Sequence, residues 1–344
     1  MCSVSVTAPT DMQAITISSG RTFQAQASES LLDAALRQGV VLNHSCRSGR
    51  CNSCKARVRS GETAVIHQET GLTTDEQAQG YILTCARRAS SPVDLEIDDL
   101  GDISLPAAIT LPCRIHSIEK MTSDVIHVRL RMPPSAAMDF LPGQYIDVIG
   151  GNGLRRSYSI ANAPQSDKLI ELHIRSVPYG QMSRYWFEDA KANDLLRLRG
   201  PLGTFFLRDQ AGRDLVLLAT GTGIAPIKAI LEGLASLSAG DQPRSVSVYW
   251  GGRRPGDFYW QPEGRSALPN LRFIPVLSRA SEGWIGAQGH VQDALLRDAP
   301  DLSNTLVYAC GSDAMIHSAQ ALLISAGLPQ GRFHSDAFVC SGTL

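Results

Sequence analysis

Four cysteines constrain this chain more than any other feature. Cys46, Cys51 and Cys54 stand as C-x4-C-x2-C, and Cys85 follows after thirty intervening residues. A two-iron, two-sulfide cluster needs four thiolates in two pairs. This spacing supplies three ligands from one loop and the fourth from a distant strand or turn. Gly49 and the small residues Ser48, Asn52 and Ser53 let backbone amides turn toward sulfur, while Arg47, Arg50 and Lys55 set positive charge beside an anionic core. Zinc sites more commonly join a C-x2-C pair to another pair or to histidines. His44 lies nearby, yet no second C-x-H pair completes a Rieske-like site. Zinc and coincidence stay open as alternatives to a [2Fe-2S] cluster.

The other four cysteines, Cys2, Cys113, Cys310 and Cys340, are scattered. A disulfide scaffold is usually short and secreted, whereas 344 residues leave room for two or three domains. A formal net charge of -1 gives no general attraction to nucleic acid or to an anionic membrane. No segment approaches the roughly 18 apolar residues of a membrane span, and residues 1–20 lack the pattern of a signal peptide. The expected location is the cytoplasm, with no nucleic-acid partner and no membrane insertion.

The periodicity changes twice along the chain. Ile15 and Ile17 alternate with polar residues before the Ser19-Gly20 turn, as in a hairpin strand. Ser28 and Glu29 then open a helix with Leu31, Leu32, Ala35 and Leu36 on one side, which stops at Gly39. Strands are expected over 55–58 and around Leu95 and Ile97, and a linker over 103–110. Runs at 125–130, 145–148, 157–160 and 169–174 alternate or are β-branched between glycine and proline breaks, which fits a small antiparallel barrel. Residues 215–219 form a continuous apolar run, as in a strand covered on both faces. Further strands are expected at 245–250, 272–277 and 305–309, with helices at 227–237, 288–296 and 314–326, an α/β doubly wound plan. The expected domains are 1–104, 107–209 and 210–344.

Arg156-Ser157-Tyr158-Ser159 opens one barrel strand. Arginine can pair with phosphate through its planar fork, tyrosine can pack along a flavin, and Ser159 can donate near its ring. An ordinary strand could carry the same four residues. Gly180-Gln181-Met182-Ser183 precedes the run from Tyr185 to Phe187. It reads as a turn into a helix whose free amides accept pyrophosphate, with Ser183 capping or bonding the phosphate. Pro201-Leu202-Gly203 reads as a rigid turn, with Phe205 and Phe206 in the core.

The 215–219 run leads straight into Thr220-Gly221-Thr222-Gly223-Ile224-Ala225-Pro226 and a helix. These glycines permit a tight strand-to-helix turn beside a pyrophosphate, and the helix start offers amides and a favourable dipole. Cys310-Gly311-Ser312 follows another buried-strand candidate. Taken alone, Cys310 reads as an inert buried thiol, since no base accompanies it.

These stretches resemble known families. The segment from Ser45 to Cys54 is similar to the binding loop of plant-type ferredoxin domains. Those usually carry glycine after the second cysteine, where this chain has Asn52, a residue tolerant of positive φ. Arg156, Tyr158 and Ser159 fall on the RxYS motif of the ferredoxin-NADP reductase superfamily, and Gly180 and Ser183 on its phosphate segment. Residues 220–226 resemble the GTG-x-AP segment of its nicotinamide domains. The resemblance implies FAD rather than FMN, because the FMN-using phthalate-dioxygenase type carries its ferredoxin domain at the C-terminus. The fold it implies is a β-grasp ferredoxin-like domain, then a flavin barrel, then a nicotinamide α/β domain.

The resemblance also implies site roles. Cys46, Cys51, Cys54 and Cys85 would hold the cluster. Arg156 to Ser159, His173, Arg175 and Gly180 to Ser183 would hold FAD, while Gly221, Thr222, Gly223, Pro226 and Arg253 would hold the nicotinamide cofactor. Gly311 and Ser312 would flank it. Cys310 would shape hydride geometry, Phe338 would lie beside the flavin, and Ser159 would act at its ring. The implied reaction moves electrons from NADH through FAD and the cluster to a terminal iron–sulfur acceptor. Two families carry this machine: the CDP-6-deoxy-glucoseen reductases of deoxysugar biosynthesis, which serve a pyridoxamine-phosphate-dependent dehydratase, and the reductase components of Rieske-type oxygenases. The stretches 143–147, 156–164, 307–312 and 333–339 look most like the first. A non-enzymatic iron–sulfur binding or sensor protein is the alternative of a different class.

Overall fold

The computed structural model of the chain describes residues 12–151, 153–262, 268, 270–280 and 282–338. Cys2, Ser281, Val339 and Cys340 lie outside them. The chain divides into two compact units, Met1–Leu105 and Pro106–Leu344.

The first unit is built on a five-stranded sheet in the order β2-β1-β7-β3-β5, from β1 (Gln13–Thr16), β2 (Thr22–Ala25), β3 (Lys55–Ser60), β5 (Tyr81–Leu83) and β7 (Val93–Glu96). A two-stranded flap pairs β4 (Thr63–Val65) with β6 (Arg87–Ala89). β1 and β2 are an antiparallel hairpin, closed at Gly20 with φ 79°, and β1 runs parallel to β7. Alternation places Ile15, Phe23, Ala25 and Leu95 in one core, where α1 (Leu31–Arg37) adds Leu31, Leu32, Ala34 and Ala35. The helix starts two residues later than its sequence suggests: Ser30, not Ser28, accepts the Asp33 amide at 3.0 Å as N-cap. This is the β-grasp architecture. A short capped helix, α2 (Thr74–Ala78), precedes β5.

The second unit begins with six antiparallel strands in the order β11-β10-β13-β8-β9-β12. They are β8 (Ile109–Lys120), β9 (Val125–Arg131), β10 (Tyr145–Ile149), β11 (Arg155–Ser159), β12 (Leu169–Arg175) and β13 (Leu195–Leu202). A bridge between Ile160 and Leu172 joins the two edge strands and closes the barrel. Ile115, Val128, Ile146, Leu172 and Leu198 fill its interior. Pro201 and Leu202 end β13 rather than forming a separate turn, and β8 begins at Ile109, inside the expected linker. One turn of helix, α3 (Gln181–Arg184), runs into a wider π-turn, Tyr185–Asp189.

The remainder is a parallel sheet in the order β17-β16-β15-β14-β18-β19. Its strands are β14 (Asp214–Thr220), β15 (Ser245–Gly252), β16 (Leu271–Leu277), β17 (Ala287–Gln288), β18 (Thr305–Ser312) and β19 (Phe333–Phe338). The apolar run on β14 is central, flanked by β15 and β18, so both its faces are covered. α4 (Ile224–Ala235), α5 (Val291–Arg297) and α6 (Asp313–Ser325) connect the strands. Gln288 belongs to β17, not to the following helix. The chain builds outward from β14 to β15 on one side and later to β18 on the other. The carboxyl ends of β14 and β18 are therefore a topological switch point, where open α/β sheets take their ligands.

Candidate cofactor sites

The four ligand cysteines meet two by two. The thiols of Cys46 and Cys51 hydrogen-bond each other, as do those of Cys54 and Cys85. Among the described residues no three His, Cys, Asp or Glu side chains gather as ligands of a single metal ion. A two-iron cluster takes four thiolates in two pairs. The paired arrangement fits the [2Fe-2S] cluster.

The loop is shaped to present these sulfurs. The Cys46 sulfur accepts the amides of Cys51 at 3.3 Å and Ser48 at 3.5 Å. With the Cys51 thiol as the first contributor, these donors pull the Cys46 thiol down to about 5. The Cys46 hydrogen bond and burial push Cys51 up; the Cys85 hydrogen bond and burial do the same to Cys54. Arg47 and Gly49 take positive φ, 52° and 72°, and a side chain on Gly49 would meet the Gln68 backbone. Asn52, where relatives carry glycine, does not take a positive φ. The substitution there costs the loop nothing in backbone freedom. Arg47 pairs with Asp33, and Lys55 with Glu76 at 2.7 Å.

On the barrel, β11 aligns Ser159 opposite Tyr145 and Ser157 opposite Asp147, whose carboxylate accepts the Ser157 hydroxyl at 2.6 Å. Arg156 and Tyr158 are partly exposed, while Ser159 is buried. The Tyr158 hydroxyl accepts the Trp186 indole N–H at 3.0 Å and is pushed up to about 12, chiefly by burial. No side chain caps the helix at Gly180, which leaves the first amides of Gln181 and Met182 without a side-chain acceptor. Ser183 accepts the Val177 amide at 2.9 Å, and Met182 is buried. On β12, His173 is buried and pushed down to about 3 by burial, while Arg175 pairs with Asp124 at 3.1 Å. These polar groups and uncapped amides suit a flavin and its phosphates.

At the switch point the backbone of the Gly221–Gly223 turn lies directly on the end of β18. A Cβ on Gly223 would come within 2.6 Å of the Cys310 carbonyl carbon, and one on Gly311 would strike the Thr220 hydroxyl. Gly221 takes φ 55° and lies beside Arg175, whose Nη1 would be 2.7 Å from any added Cβ. Thr220 Oγ1 accepts the Ser312 amide at 3.1 Å. Cys310 is fully buried, its thiol held far above the ordinary range by burial and then by Asp336. Phe338 sits opposite Ser312 on β19, and Pro226 lies buried in the first turn of α4. The structure thus brings Gly221, Gly223, Cys310, Gly311, Ser312 and Arg175 together, with Phe338 alongside. Arg253 stands apart, exposed two residues past Gly251 with its amide on Asp257 at 2.7 Å.

Three neighbours escaped the sequence reading. Trp250 donates to the Gly221 carbonyl at 2.9 Å, and the Tyr259 hydroxyl lies 3.2 Å from His173 Nδ1. Lys228 reaches from α4 to the Ala161 carbonyl at 3.0 Å. Only the last left a signal, a Lys-Glu pair at i,i+4 in an otherwise apolar helix.

A β-grasp unit with paired cysteines, a flavin barrel and a nicotinamide sheet define an iron–sulfur flavoprotein oxidoreductase. Three family descriptions match in chain order: 2Fe-2S iron-sulfur cluster binding domain over residues 15–90, oxidoreductase FAD-binding domain over 112–207 and oxidoreductase NAD-binding domain over 217–321. The chain is 43% identical over 325 residues to the CDP-6-deoxy-L-threo-D-glycero-4-hexulose-3-dehydrase reductase of Yersinia pestis, covering 94% of this chain and 97% of that one. It is 31% identical over 328 residues to terephthalate 1,2-dioxygenase reductase component 1 of a Comamonas species, covering 93% and 95%. Among solved structures, the cytochrome P450 reductase GcoB of Amycolatopsis superposes with a TM-score of 0.74 at 29% identity, covering 95% and 98%. The chain belongs to the family of three-domain iron–sulfur flavoprotein reductases that take electrons from a nicotinamide cofactor and pass them through FAD and a [2Fe-2S] cluster to a partner protein. No helix among the described residues is long and apolar enough to cross a membrane.

Proposed function

We propose that this chain is the cytoplasmic NADH-dependent reductase that feeds a pyridoxamine-phosphate-dependent dehydratase in C-3 deoxygenation of a CDP-sugar. The observation that carries this reading is the 43% identity to the Yersinia reductase across 94% of the chain. In this reading residues 1–104 carry the cluster, 107–209 the flavin and 210–344 the nicotinamide cofactor.

FAD takes two electrons together from a nicotinamide and returns them one at a time, as the cluster requires. The protein aligns the carriers. Arg156 and the uncapped amides after Gly180 would hold flavin phosphates, Tyr158, steadied by Trp186, would pack along the flavin, and Ser159 would act at its ring. The Gly221–Gly223 turn would hold the nicotinamide pyrophosphate at the start of α4. Cys310, too buried to ionise, would shape the hydride path as a neutral group, and Phe338 would lie beside the flavin.

Mixing the purified reductase with each candidate acceptor under NADH tests the acceptor. Dehydratase turnover stimulated by this chain, with no stimulation of an oxygenase, is the expected result. The second reading, a reductase of a Rieske-type or related oxygenase, is favoured by the resemblance to the Comamonas component. Stimulation of the oxygenase alone would replace the first reading with it.

A further inference from the structure

A partly buried cation joins the two halves of the second unit. Lys228 sits in the second turn of α4, just past the Gly221–Gly223 turn, with its side chain 14% exposed. Its ammonium donates to Glu232 at 2.6 Å, Glu171 at 2.9 Å and the Ala161 carbonyl at 3.0 Å, so each of its three protons has an acceptor. Glu232 in turn accepts the Ala163 amide at 2.9 Å. The two barrel partners adjoin two of the candidate flavin segments. Ala161 follows Ser159 by two residues, and Glu171 lies on β12, the strand that ends in His173 and Arg175.

The network has two further anchors on the barrel. His127 Nε2 approaches Glu171 at 3.4 Å, and the Ala161 amide donates to the Glu171 carbonyl at 2.8 Å. Burial alone would lower the Lys228 pKa, but the hydrogen bonds from Glu171 and Glu232 outweigh it and the net direction is upward. Glu171 is held down to about 2: burial would raise it, and His127 and Lys228 more than reverse that. The ammonium and the Glu171 carboxylate are therefore both charged at neutral pH. Buried ion pairs add little stability over well-packed apolar residues of similar volume; what such a pair can supply is registry. Two barrel acceptors of fixed direction, Glu171 and the Ala161 carbonyl, together with the Ala163 amide on Glu232, hold α4 at one height against the barrel, which an apolar contact would not.

We infer that Lys228, held by Glu171 and Glu232, is a positioning residue that sets the reach between the nicotinamide turn and the flavin strand for hydride transfer. This rests on the cofactor assignment made under Proposed function. Its three hydrogen bonds all go to protein groups, so it acts through α4 on the turn and through Ala161 on β11.

The test uses the full chain loaded with FAD and cluster, as wild type, Lys228→Met, Lys228→Arg and Glu232→Gln. Rapid anaerobic mixing with NADH gives the limiting rate of flavin bleaching, the NADH dissociation constant and the long-wavelength nicotinamide–flavin absorbance. Lys228→Met is expected to slow the limiting rate by roughly 10- to 100-fold, the scale of a small misplacement, and to weaken that absorbance, with NADH affinity near wild type. Lys228→Arg restores part of both. Should Lys228→Met fail to hold FAD, Glu232→Gln, which keeps the Glu171 pair and an acceptor for Ala163, is expected to slow the same step to a lesser degree. An unchanged limiting rate in any flavin-loaded variant lacking the Lys228 or Glu232 charge overturns the inference. A loss confined to NADH affinity overturns it as well. If NADH does not reduce the flavin of the wild-type chain, the cofactor assignment itself fails, and the inference falls with it.

Discussion

The carbonyl group of Cys310 occupies the space that a side chain on Gly223 would need. Gly223 has φ -59°, which any residue can adopt, so its requirement for glycine comes from β18 and not from its own backbone. Gly223→Ala is expected to lift the turn off β18 and cost about 1–3 kcal/mol of stability, as overpacking does. NADH should then reduce the flavin more slowly while FAD stays bound. Denaturant unfolding and rapid mixing with NADH measure both effects. An alanine variant with wild-type reduction kinetics would refute this account of the turn.

Pairing of the cysteines predicts the metal content and the electron route. Anaerobically prepared protein should hold about two iron and two acid-labile sulfide atoms per chain, with a plant-type paramagnetic signal on reduction. Cys51→Ser should lower cluster-dependent cytochrome c reduction by more than about tenfold, the scale set by loss of even an outer partner of a metal site. Direct ferricyanide reduction at the flavin should persist. Equal loss of the two activities, with FAD and fold intact, would contradict the route.

Two buried histidines predict acid sensitivity. Burial pushes His173 and His334 from 6.5 down to about 3, with the charge of His127 adding to the shift at His173 and that of Arg208 at His334. Below pH 6.5 the unfolded chain binds protons that the folded chain refuses until about pH 3, so stability falls across that window. Each histidine removes on the order of 1 kcal/mol per pH unit within it. His334→Gln keeps an acceptor for Arg208, which lies 3.0 Å from His334 Nδ1, but cannot titrate. Its urea midpoint should drop less between pH 7 and pH 5 than that of wild type; parallel curves would show that His334 contributes nothing.

NADH should be preferred over NADPH, by about tenfold in kcat/KM. A 2'-phosphate favours clustered basic groups. Arg253 and Arg279 follow different strands, both exposed, and Glu282 stands near Arg279 in sequence. Steady-state rates with both nucleotides at one salt concentration decide the matter. A ratio favouring NADPH would make Arg279 the first residue to replace.

The sequence was most legible where one short pattern carries the structure. The apolar run into Thr220-Gly221-Thr222-Gly223 announced β14, its turn and α4, because strand, glycines and helix are contiguous. β13 was missed although Leu196 and Leu198 alternate with Arg197 and Arg199: Gly200-Pro201 reads as a break, yet both residues remain in the strand. β19 was missed because His334, Ser335 and Asp336 give it no apolar run. The Asn52 departure looked like a question of backbone freedom, and the loop places its positive φ at Arg47 and Gly49 instead. The Lys228 network was legible only in its local half, the Lys228–Glu232 pair. Its barrel partners lie 57 and 67 residues away, and no local pattern encodes contacts between a barrel and a helix from the next domain.

The two thiol pairs differ in what must exist before each can form. Cys46 and Cys51 are five residues apart in one loop, so closing a short segment brings them together at small entropic cost. Cys54 and Cys85 meet only after β3 has found β5, with Lys55 opposite Leu83 in the register. One half of the ligand set is thus available to an unfolded chain, and the other half is a product of the completed sheet. The full four-thiolate set therefore exists only once the domain has folded, so that retention of a cluster by these cysteines would report correct folding.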